Sequence, residues 1–211
     1  MLVVGAKGFA KEVLEILHQN QDLDDLVFYD DVNKDISSHL YNVFPILTNK
    51  FQAERYFKTV DNRFTIGIGD PILRTKLYKD FVAIGGVFTS TISKSLIIGS
   101  YGTRLGDGVN IMQNVVITND VLIGTGVILN QLTSIGHDVI IGDFSEISPN
   151  VSISGNCTLG FNVILGTGAI VLPKILIGNN VIVGAGAVVH KDLPDNCVAV
   201  GVPAKIIKYT I

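Results

Sequence analysis

The residues best suited to chemistry in this chain are His137 and Asp138, in the segment Ile135-Gly136-His137-Asp138. An imidazole moves protons near neutral pH, and an adjacent carboxylate could orient the ring or favour its protonated form. Gly155 follows eighteen residues later. If eighteen residues form one repeating layer, Gly155 leaves space beside the imidazole and a backbone N–H that could face it. This predicts a general base beside an oxyanion donor, with an exposed turn histidine as the alternative.

The other histidines and the two cysteines are weaker candidates for chemistry. Three further histidines lie in polar segments or after the last repeat described below, where solvation is the expected state. No second histidine or cysteine shares the neighbourhood of His137, so we expect no metal site. Cys157 occupies a small inward position of the repeat and is expected to be a buried small hydrophobe.

A second candidate site lies near the start of the chain. The apolar run Leu2 to Val4 ends at Gly5-Ala6-Lys7-Gly8, and a one-sided helical pattern follows to about Asn20. Such a strand, glycine turn and helix N-terminus make a crevice that favours anions. The next strand, Leu26 to Tyr29, ends on Asp30-Asp31, where a doubly wound fold places the acid that reads a ribose or base. One glycine of the dinucleotide fingerprint is missing, so nucleotide binding and plain turn geometry both stay open.

The remaining N-terminal elements complete a small α/β domain. Lys50 to Phe57 has a helical pattern, and Phe64 to Ile68 reads as a strand. Asp70-Pro71 supplies a helix cap and a proline at the first helical position, with the helix running to about Lys79. Residues 1–84 therefore predict a Rossmann-like β-α-β-α domain, and residues 85–211 a second domain.

A six-residue period dominates the second domain and positions the His137 segment. An aliphatic residue recurs every six positions from Leu105 to Val189, fifteen times in all. One short strand and one turn per six residues, with three such units per coil, predict a mainly β fold: a parallel β-helix of about five coils and roughly 24 Å. The short strands of a β-sandwich would not keep a six-residue period in phase over so many repeats. The slot after the aliphatic residue is often glycine, which we expect to let the backbone turn: Gly106, Gly124, Gly136, Gly142, Gly160, Gly166, Gly178 and Gly184.

Both ends of the repeat depart from the period. Ile92 and Ile98 are one residue out of phase with Leu105, which predicts an irregular first coil. After Val189 the pattern stops, and the tail through Gly201-Val202-Pro203-Ala204-Lys205 is expected to cap the open end, because an uncapped stack exposes strand edges.

Composition excludes several classes of function. The formal net charge is −3, and no run of Lys or Arg points to nucleic acid or an anionic membrane as partner. No signal peptide is visible, and no unbroken apolar run approaches the length of a membrane span. These features favour a cytoplasmic protein.

The chain resembles the nucleotide-sugar acetyltransferases of the left-handed β-helix superfamily, in the branch of UDP-4-amino-sugar N-acetyltransferases and sialic acid O-acetyltransferases. The resemblance covers nearly the whole sequence. Its segments are Gly5-Ala6-Lys7-Gly8-Phe9-Ala10, Asp30-Asp31, Ile68-Gly69-Asp70, Ile135-Gly136-His137-Asp138, Ile141-Gly142-Asp143-Phe144, Ser148-Pro149, Val183-Gly184-Ala185-Gly186-Ala187-Val188-Val189 and Gly201-Val202-Pro203-Ala204-Lys205.

The resemblance implies a homotrimer of left-handed helices with acetyl-CoA in the groove between two of them. It implies that His137 is the general base, that Asp138 raises its basicity and that Gly155 donates to the thioester oxygen. Backbone groups near Thr167 and Ala185 would bind the pantetheine part of the coenzyme.

The resemblance also extends to the nucleotide pocket, with one departure elsewhere. The implied pocket residues are Lys7, Gly8, Phe9, Asp30, Asp31 and Gly69. Glu146 stands where relatives carry a second histidine near the coenzyme thioester. It could contact the coenzyme in place of that histidine, attract an ammonium substrate, or be an ordinary exposed residue of the repeat.

These implications predict an acetyl-CoA-dependent N-acetyltransferase acting on a nucleotide-linked amino-deoxy sugar, with no metal. Two alternatives stay open: a sugar O-acetyltransferase of the sialic acid type, and a non-catalytic β-helix scaffold.

Overall fold

The computed structural model describes residues 1–33 and 35–210. It divides into two compact units, Met1–Thr91 and Ile92–Ile211. The division falls later than residue 84, the boundary expected from the sequence, because a short strand that follows the third helix still pairs within the N-terminal sheet.

The described part of the N-terminal unit is an α/β fold with one six-stranded sheet and three helices. The sheet order is β3-β4-β2-β1-β5-β6, and every pairing is parallel except the one between β3 and β4. Its elements are β1 Leu2–Val4, α1 Phe9–Asn20, β2 Val27–Tyr29, β3 His39–Leu40, β4 Phe44–Leu47, α2 Lys50–Thr59, β5 Arg63–Ile66, α3 Pro71–Ala83 and β6 Val87–Phe88. This is the Rossmann-like arrangement that the sequence predicted.

Side-chain caps fix where the second and third helices begin. The Asn49 side chain accepts from the Gln52 N–H at the start of α2. The Asp70 side chain accepts from the Leu73 N–H at the start of α3, with proline at the first helical position. These bonds satisfy amides that have no partner inside the helix, and the cap predicted at Asp70 is confirmed.

The C-terminal unit is a parallel β-helix with three faces. The first face has the strand order β25-β24-β22-β19-β16-β13-β10-β7, the second β23-β20-β17-β14-β11-β8 and the third β21-β18-β15-β12-β9. The strands are β7 Thr91–Ile92, β8 Ile97–Ile98, β9 Arg104–Leu105, β10 Asn110–Ile111, β11 Val116–Ile117, β12 Leu122–Ile123, β13 Ile128–Leu129, β14 Ser134–Ile135, β15 Ile140–Ile141, β16 Glu146–Ile147, β17 Ser152–Ile153, β18 Thr158–Leu159, β19 Ile164–Leu165, β20 Ile170–Val171, β21 Leu176–Ile177, β22 Ile182–Val183, β23 Val188–Val189, β24 Cys197–Val200 and β25 Lys205–Tyr209.

The predicted register of the helix is confirmed. Ile141 pairs with Ile123 on one side and Leu159 on the other, each eighteen residues away, and all three side chains are buried. The irregular first coil is also confirmed, because Ile98 lies opposite Ile117, one residue beyond the regular offset.

The glycines after the aliphatic positions have a different cause from the one expected. None of them adopts a positive φ; the left-handed residue comes two positions later, where glycine itself is the commonest residue and Asn and Asp follow. A Cβ at Gly142 would lie 2.5 Å from the carbonyl carbon of Gly160, and one at Gly136 would lie 2.7 Å from the Gly155 nitrogen. The expectation that these glycines enable the turn is therefore wrong; glycine is needed there because adjacent coils approach too closely for a side chain.

The C-terminal tail ends the parallel repeat. β24 extends the first face in parallel with β22, and β25 then reverses direction and pairs antiparallel with β24. Ala204, in the turn between them, packs against the helix core. Within residues 1–33 and 35–210, no helix has the length and apolar character needed to cross a membrane.

The inward and outward positions of β15 offer a direct test of the register. Ile141→Ala should lower the free energy of unfolding by about 2–5 kcal/mol, because it opens a cavity in a packed core. Its neighbour Ile140 is 43 % exposed, whereas Ile141 is 1 % exposed. Ile140→Ala should therefore cost less than about 1 kcal/mol. Urea unfolding of both variants measures the difference, and equal losses would contradict the register.

Candidate functional site

The turns that follow the strands of the second face form what we call the second corner of the helix, and His137 and Gly155 both lie on it. β14 and β17 pair in register, with Ile135 opposite Ile153, so Gly155 falls one coil away from His137. The Asn156 N–H donates to the His137 carbonyl at 2.9 Å and holds the two coils together. A Cβ at Gly155 would lie 2.6 Å from both Cε1 and Nε2 of His137. The imidazole therefore lies directly over the glycine.

Asp138 selects the tautomer of the neutral imidazole. Nδ1 of His137 lies 2.7 Å from Oδ2 of Asp138, and the two side chains are 63 % and 55 % exposed. An ionised carboxylate only accepts hydrogen bonds, so Nδ1 carries the proton and the neutral ring keeps a free lone pair on Nε2. Nε2 is the nitrogen beside Gly155, and it can take a proton from a substrate.

Asp138 also has a backbone role. Its φ is 57°, at the left-handed position of the coil, where Asn and Asp are tolerated better than most side chains. Turn geometry and the contact with His137 therefore favour the same residue type.

The backbone N–H of Gly155 is left open by the residues of the next coil. On the third corner, which follows the strands of the third face, Asp143 accepts from Thr125 N–H at 2.8 Å and Asn179 accepts from Phe161 N–H at 3.1 Å. Pro173 stands in the corresponding place for Gly155 and has no side-chain acceptor. Among the described residues, the Gly155 N–H has no hydrogen-bond acceptor. It is available to a substrate oxygen.

Thr167 and Ala185 lie on the first corner, which follows the strands of the first face. Thr167 follows β19 and Ala185 follows β22, and both residues are exposed. Within the described part of the chain, neither N–H has an acceptor. Glu146 lies in β16 of the same face and is half-buried. Two open amides in successive coils can hold a ligand that runs along the helix.

One chain does not bring the predicted base and the predicted coenzyme residues together. His137 and Gly155 are on the second corner, whereas Thr167 and Ala185 are on the first, and the whole second face separates the two corners. A ligand that contacts both sets within one chain would have to cross the second face.

The N-terminal unit contains a separate cleft of about 270 Å³. It lies at the carboxyl ends of β1, β2 and β5, where the strand order changes direction on either side of β1. Open α/β sheets bind ligands at this point. Its apolar lining includes Val4, Leu73 and Leu77; its polar lining is Lys7, Tyr29, Asp30, Asp31 and Asn33.

Close backbone packing shapes the floor of the cleft. Gly5 has a φ of 111°, and its missing Cβ would lie 2.9 Å from the Gly67 oxygen. A Cβ at Gly67 would lie 2.6 Å from Cα of Ala10. Sequence reasoning did not single out Gly67, although the Gly67-Ile68-Gly69 pattern at the end of β5 carries the signal.

Three predicted pocket residues border the cleft without lining it. Gly8 is the N-cap of α1 with a φ of 39°, and Phe9 is the first residue of that helix. Gly69 lies between β5 and α3, where its carbonyl accepts from the Arg74 guanidinium. Their placement fits a role in shaping the turns around the cleft.

The two aspartates at the end of β2 differ in their surroundings. Asp30 is 8 % exposed, and its oxygens accept from the backbone and side chain of Asn33. Asp31 is exposed and accepts from the Tyr29 hydroxyl at 2.8 Å. Burial, followed by the hydrogen bond to Asp31, raises the pKa of Tyr29, so the phenol stays protonated and donates. Asp31 keeps its second oxygen for a ligand.

Within the part of the chain that the structure describes, no group of three or more His, Cys, Asp or Glu side chains could hold a metal ion.

Comparison with known families agrees with this architecture. Residues 1–81 match the family model described as the PglD N-terminal domain, and residues 156–191 match that of the bacterial transferase hexapeptide (six repeats). No curated protein sequence matches the chain.

Solved structures extend the comparison to the whole chain. A variant of perosamine N-acetyltransferase from Caulobacter crescentus, in complex with CoA and GDP-perosamine, is 31 % identical with a TM-score of 0.91, over 98 % of this chain and 96 % of that one. The acetyltransferase domain of PglB from Neisseria gonorrhoeae, in complex with acetyl coenzyme A, is 27 % identical with a TM-score of 0.87, over 98 % of both chains. WeeI from Acinetobacter baumannii is 28 % identical with the same TM-score and coverage.

The fold and these matches define a hexapeptide-repeat acyltransferase with a left-handed β-helix. Within that class, the chain belongs to the family of sugar N-acetyltransferases that carry a PglD-type N-terminal domain.

Substitution of Gly155 should separate activity from stability. In Gly155→Ala the new methyl group occupies the space of the imidazole, which is the mobile end of a side chain and can rotate away. We expect acetyl-transfer kcat to fall on the order of 10²-fold, the cost of a misplaced catalytic group, with little change in melting temperature.

The control is Gly142→Ala, whose methyl group would collide with backbone. Overpacking of this kind costs about 1–3 kcal/mol, so this variant should melt lower while its folded fraction stays active. If Gly155→Ala melted as low as Gly142→Ala and kept its turnover, the imidazole would not depend on the glycine.

Proposed function

We propose that the protein transfers the acetyl group of acetyl-CoA to the amino group of a nucleotide-linked amino-deoxy sugar used in surface glycan biosynthesis. The observation that carries this proposal is the free Nε2 of His137 held over Gly155, whose N–H is open. These two groups are a proton acceptor and an oxyanion donor in adjacent coils. The related acetyltransferases, which bind CoA with GDP-perosamine in one case and acetyl coenzyme A in another, support the choice of substrates.

The transfer is direct. Nε2 of His137 takes a proton from the attacking amine as the nitrogen bonds to the acetyl carbonyl carbon, and the Gly155 N–H supports the negative charge that develops on the oxygen. The carbon–sulfur bond then breaks, and the protonated imidazole can return a proton to the leaving thiolate. Asp138 orients the ring and stabilises its charged form throughout.

Coenzyme binding is assigned to the first corner. The open N–H groups of Thr167 and Ala185 can donate to the carbonyl groups of pantetheine in successive coils. Glu146 lies on the same face two coils before Ala185. Its carboxylate suits the ammonium of an amino sugar better than it suits a coenzyme carbonyl, because it only accepts hydrogen bonds.

The nucleotide is assigned to the N-terminal cleft. Apolar side chains can pack on a base, while Lys7 and the N-terminus of α1 favour the diphosphate. The exposed Asp31 oxygen can accept from the base or the ribose.

We further propose a homotrimer that works in the cytoplasm. The first and second corners both flank the second face. Packing second faces around a threefold axis would bring the first corner of one chain to the second corner of the next, and closed cyclic assembly gives three such sites. The two cysteines are unbridged, which fits a reducing compartment.

Removal of the imidazole tests the role of His137. His137→Ala should lower kcat by roughly 10²–10⁴-fold, the usual contribution of a general base, and leave acetyl-CoA affinity nearly unchanged. Thiol release from acetyl-CoA with amino-sugar nucleotides as acceptors measures the first effect and calorimetry the second.

His190→Ala, at another exposed histidine outside the proposed site, is the control. Wild-type turnover in His137→Ala would remove this residue from the mechanism. Turnover with sialic acid but with no amino-sugar nucleotide would replace the N-acetyltransferase proposal with O-acetylation.

Mixed oligomers test whether two chains share a site. His137→Ala removes the base from the second corner, and Ala185→Tyr blocks the exposed first corner. Each homo-oligomer should be nearly inactive. Random assembly at equal ratio should restore about a quarter of the sites, because only one pairing in four combines an intact second corner with an intact neighbouring first corner.

Co-expression with two affinity tags isolates the mixed oligomers. Verified mixed oligomers without recovered turnover would show that both corners act within one chain. A mixture of two homo-oligomers, combined without exchange, is the control.

A further inference from the structure

Lys7 and Asn33 join two turns at the mouth of the N-terminal cleft. Nζ of Lys7 donates to Oδ1 of Asn33 at 2.7 Å. Lys7 belongs to the turn between β1 and α1, and Asn33 belongs to the turn after β2. Both residues line the cleft. The contact therefore sets where the ammonium group lies relative to the ligand space.

Asp30 decides which end of the Asn33 amide faces Lys7. The Asn33 amide nitrogen lies 3.0 Å from Oδ1 and 2.7 Å from Oδ2 of Asp30. A carboxylate only accepts, so it holds the NH₂ group and leaves the carbonyl oxygen pointing at the lysine. The Val32 and Asn33 backbone N–H groups also donate to Oδ1 of Asp30, at 3.1 and 3.0 Å. Four hydrogen bonds thus hold the Asp30 carboxylate in place, and the carboxylate in turn orients the Asn33 amide.

This arrangement leaves the charge of Lys7 uncompensated. Two carboxylates line the same cleft, yet among the described residues Lys7 forms no ion pair. Its hydrogen-bond acceptor is a neutral amide. An ammonium has three donors, so two remain for an anion, beside a helix N-terminus whose dipole favours negative charge.

We propose that Asp30 and Asn33 are positioning residues, which act through Lys7 to place an uncompensated cation against the diphosphate of the substrate. This inference rests on the proposed nucleotide-sugar function. It changes the role expected for Asp30, whose oxygens are taken up by the turn, and leaves Asp31 as the carboxylate that contacts the nucleoside.

The test separates the diphosphate from the nucleoside. Calorimetry gives the dissociation constants of GDP, UDP, dTDP and the corresponding nucleosides, and the ratio between each nucleoside and its diphosphate measures what the phosphates add. Lys7→Ala should reduce that ratio at least about tenfold, as expected for a lost charge-assisted hydrogen bond. Asn33→Asp should reduce it to a similar extent, because a carboxylate would pair with the ammonium and also repel Asp30.

A double-mutant cycle and a matched control complete the design. Asn33→Ala should reduce the ratio in the wild-type background but change it less than about twofold in the Lys7→Ala background, since a positioning residue acts only through its target. Asp31→Asn should weaken nucleoside and diphosphate equally and leave the ratio unchanged. Circular dichroism confirms that each variant is folded, and Asn33→Asp serves if Asn33→Ala is not.

Additive losses in the cycle, or a wild-type ratio in Asn33→Ala and Asn33→Asp, would overturn the positioning role while leaving the nucleotide-sugar function intact. If the wild-type protein bound none of GDP, UDP and dTDP, the proposed substrate class and this inference would both be wrong. If the ratio fell in Asp31→Asn but not in Lys7→Ala, Lys7 would not be the residue that contacts the diphosphate.

Discussion

The rest of the β-helix depends on the eighteen-residue register between neighbouring coils. Each coil places a residue against its counterpart in the next, as Ile135 against Ile153, and the coils approach so closely that several turn positions admit only glycine. A shift of one residue would move every inward aliphatic side chain to the outside. The same register places Gly155 under His137, so the geometry of the proposed active site follows from the packing of the core.

The parts of this structure that could be predicted from the sequence are those that repeat or have a known chemistry. The six-residue period is long enough to fix the fold, and the eighteen-residue offset is enough to pair His137 with Gly155. The strands β3 and β6 contain two residues each, too few to show a period, and overlooking β6 displaced the domain boundary. The recurring glycines are visible in the sequence, but the reason expected for them, freedom to turn, was wrong. A sequence shows where a side chain is missing and does not show which neighbouring atom excludes it.

The functions that we propose for the three corners follow from which backbone N–H groups each corner leaves without an acceptor. On the third corner, Asp and Asn side chains accept the N–H groups of the preceding coil. On the second corner, Gly155 and Pro173 interrupt this pattern, and on the first, the N–H groups of Thr167 and Ala185 have no acceptor among the described residues. Unpaired amides are tolerated at an exposed turn because water can satisfy them. A ligand that replaces this water meets donors already in position, without any rearrangement of the backbone.

The same reasoning applies to the anion site that we propose in this acidic chain. The formal net charge is −3, and among the described residues two carboxylates line the N-terminal cleft beside Lys7. The Asp30 carboxylate accepts four hydrogen bonds from N–H groups of its own turn. These oriented N–H dipoles balance much of its negative charge locally. A neutral amide stands between that charge and Lys7. Local screening of a carboxylate by the backbone, rather than an excess of basic residues, can therefore leave a cation free to meet a phosphate.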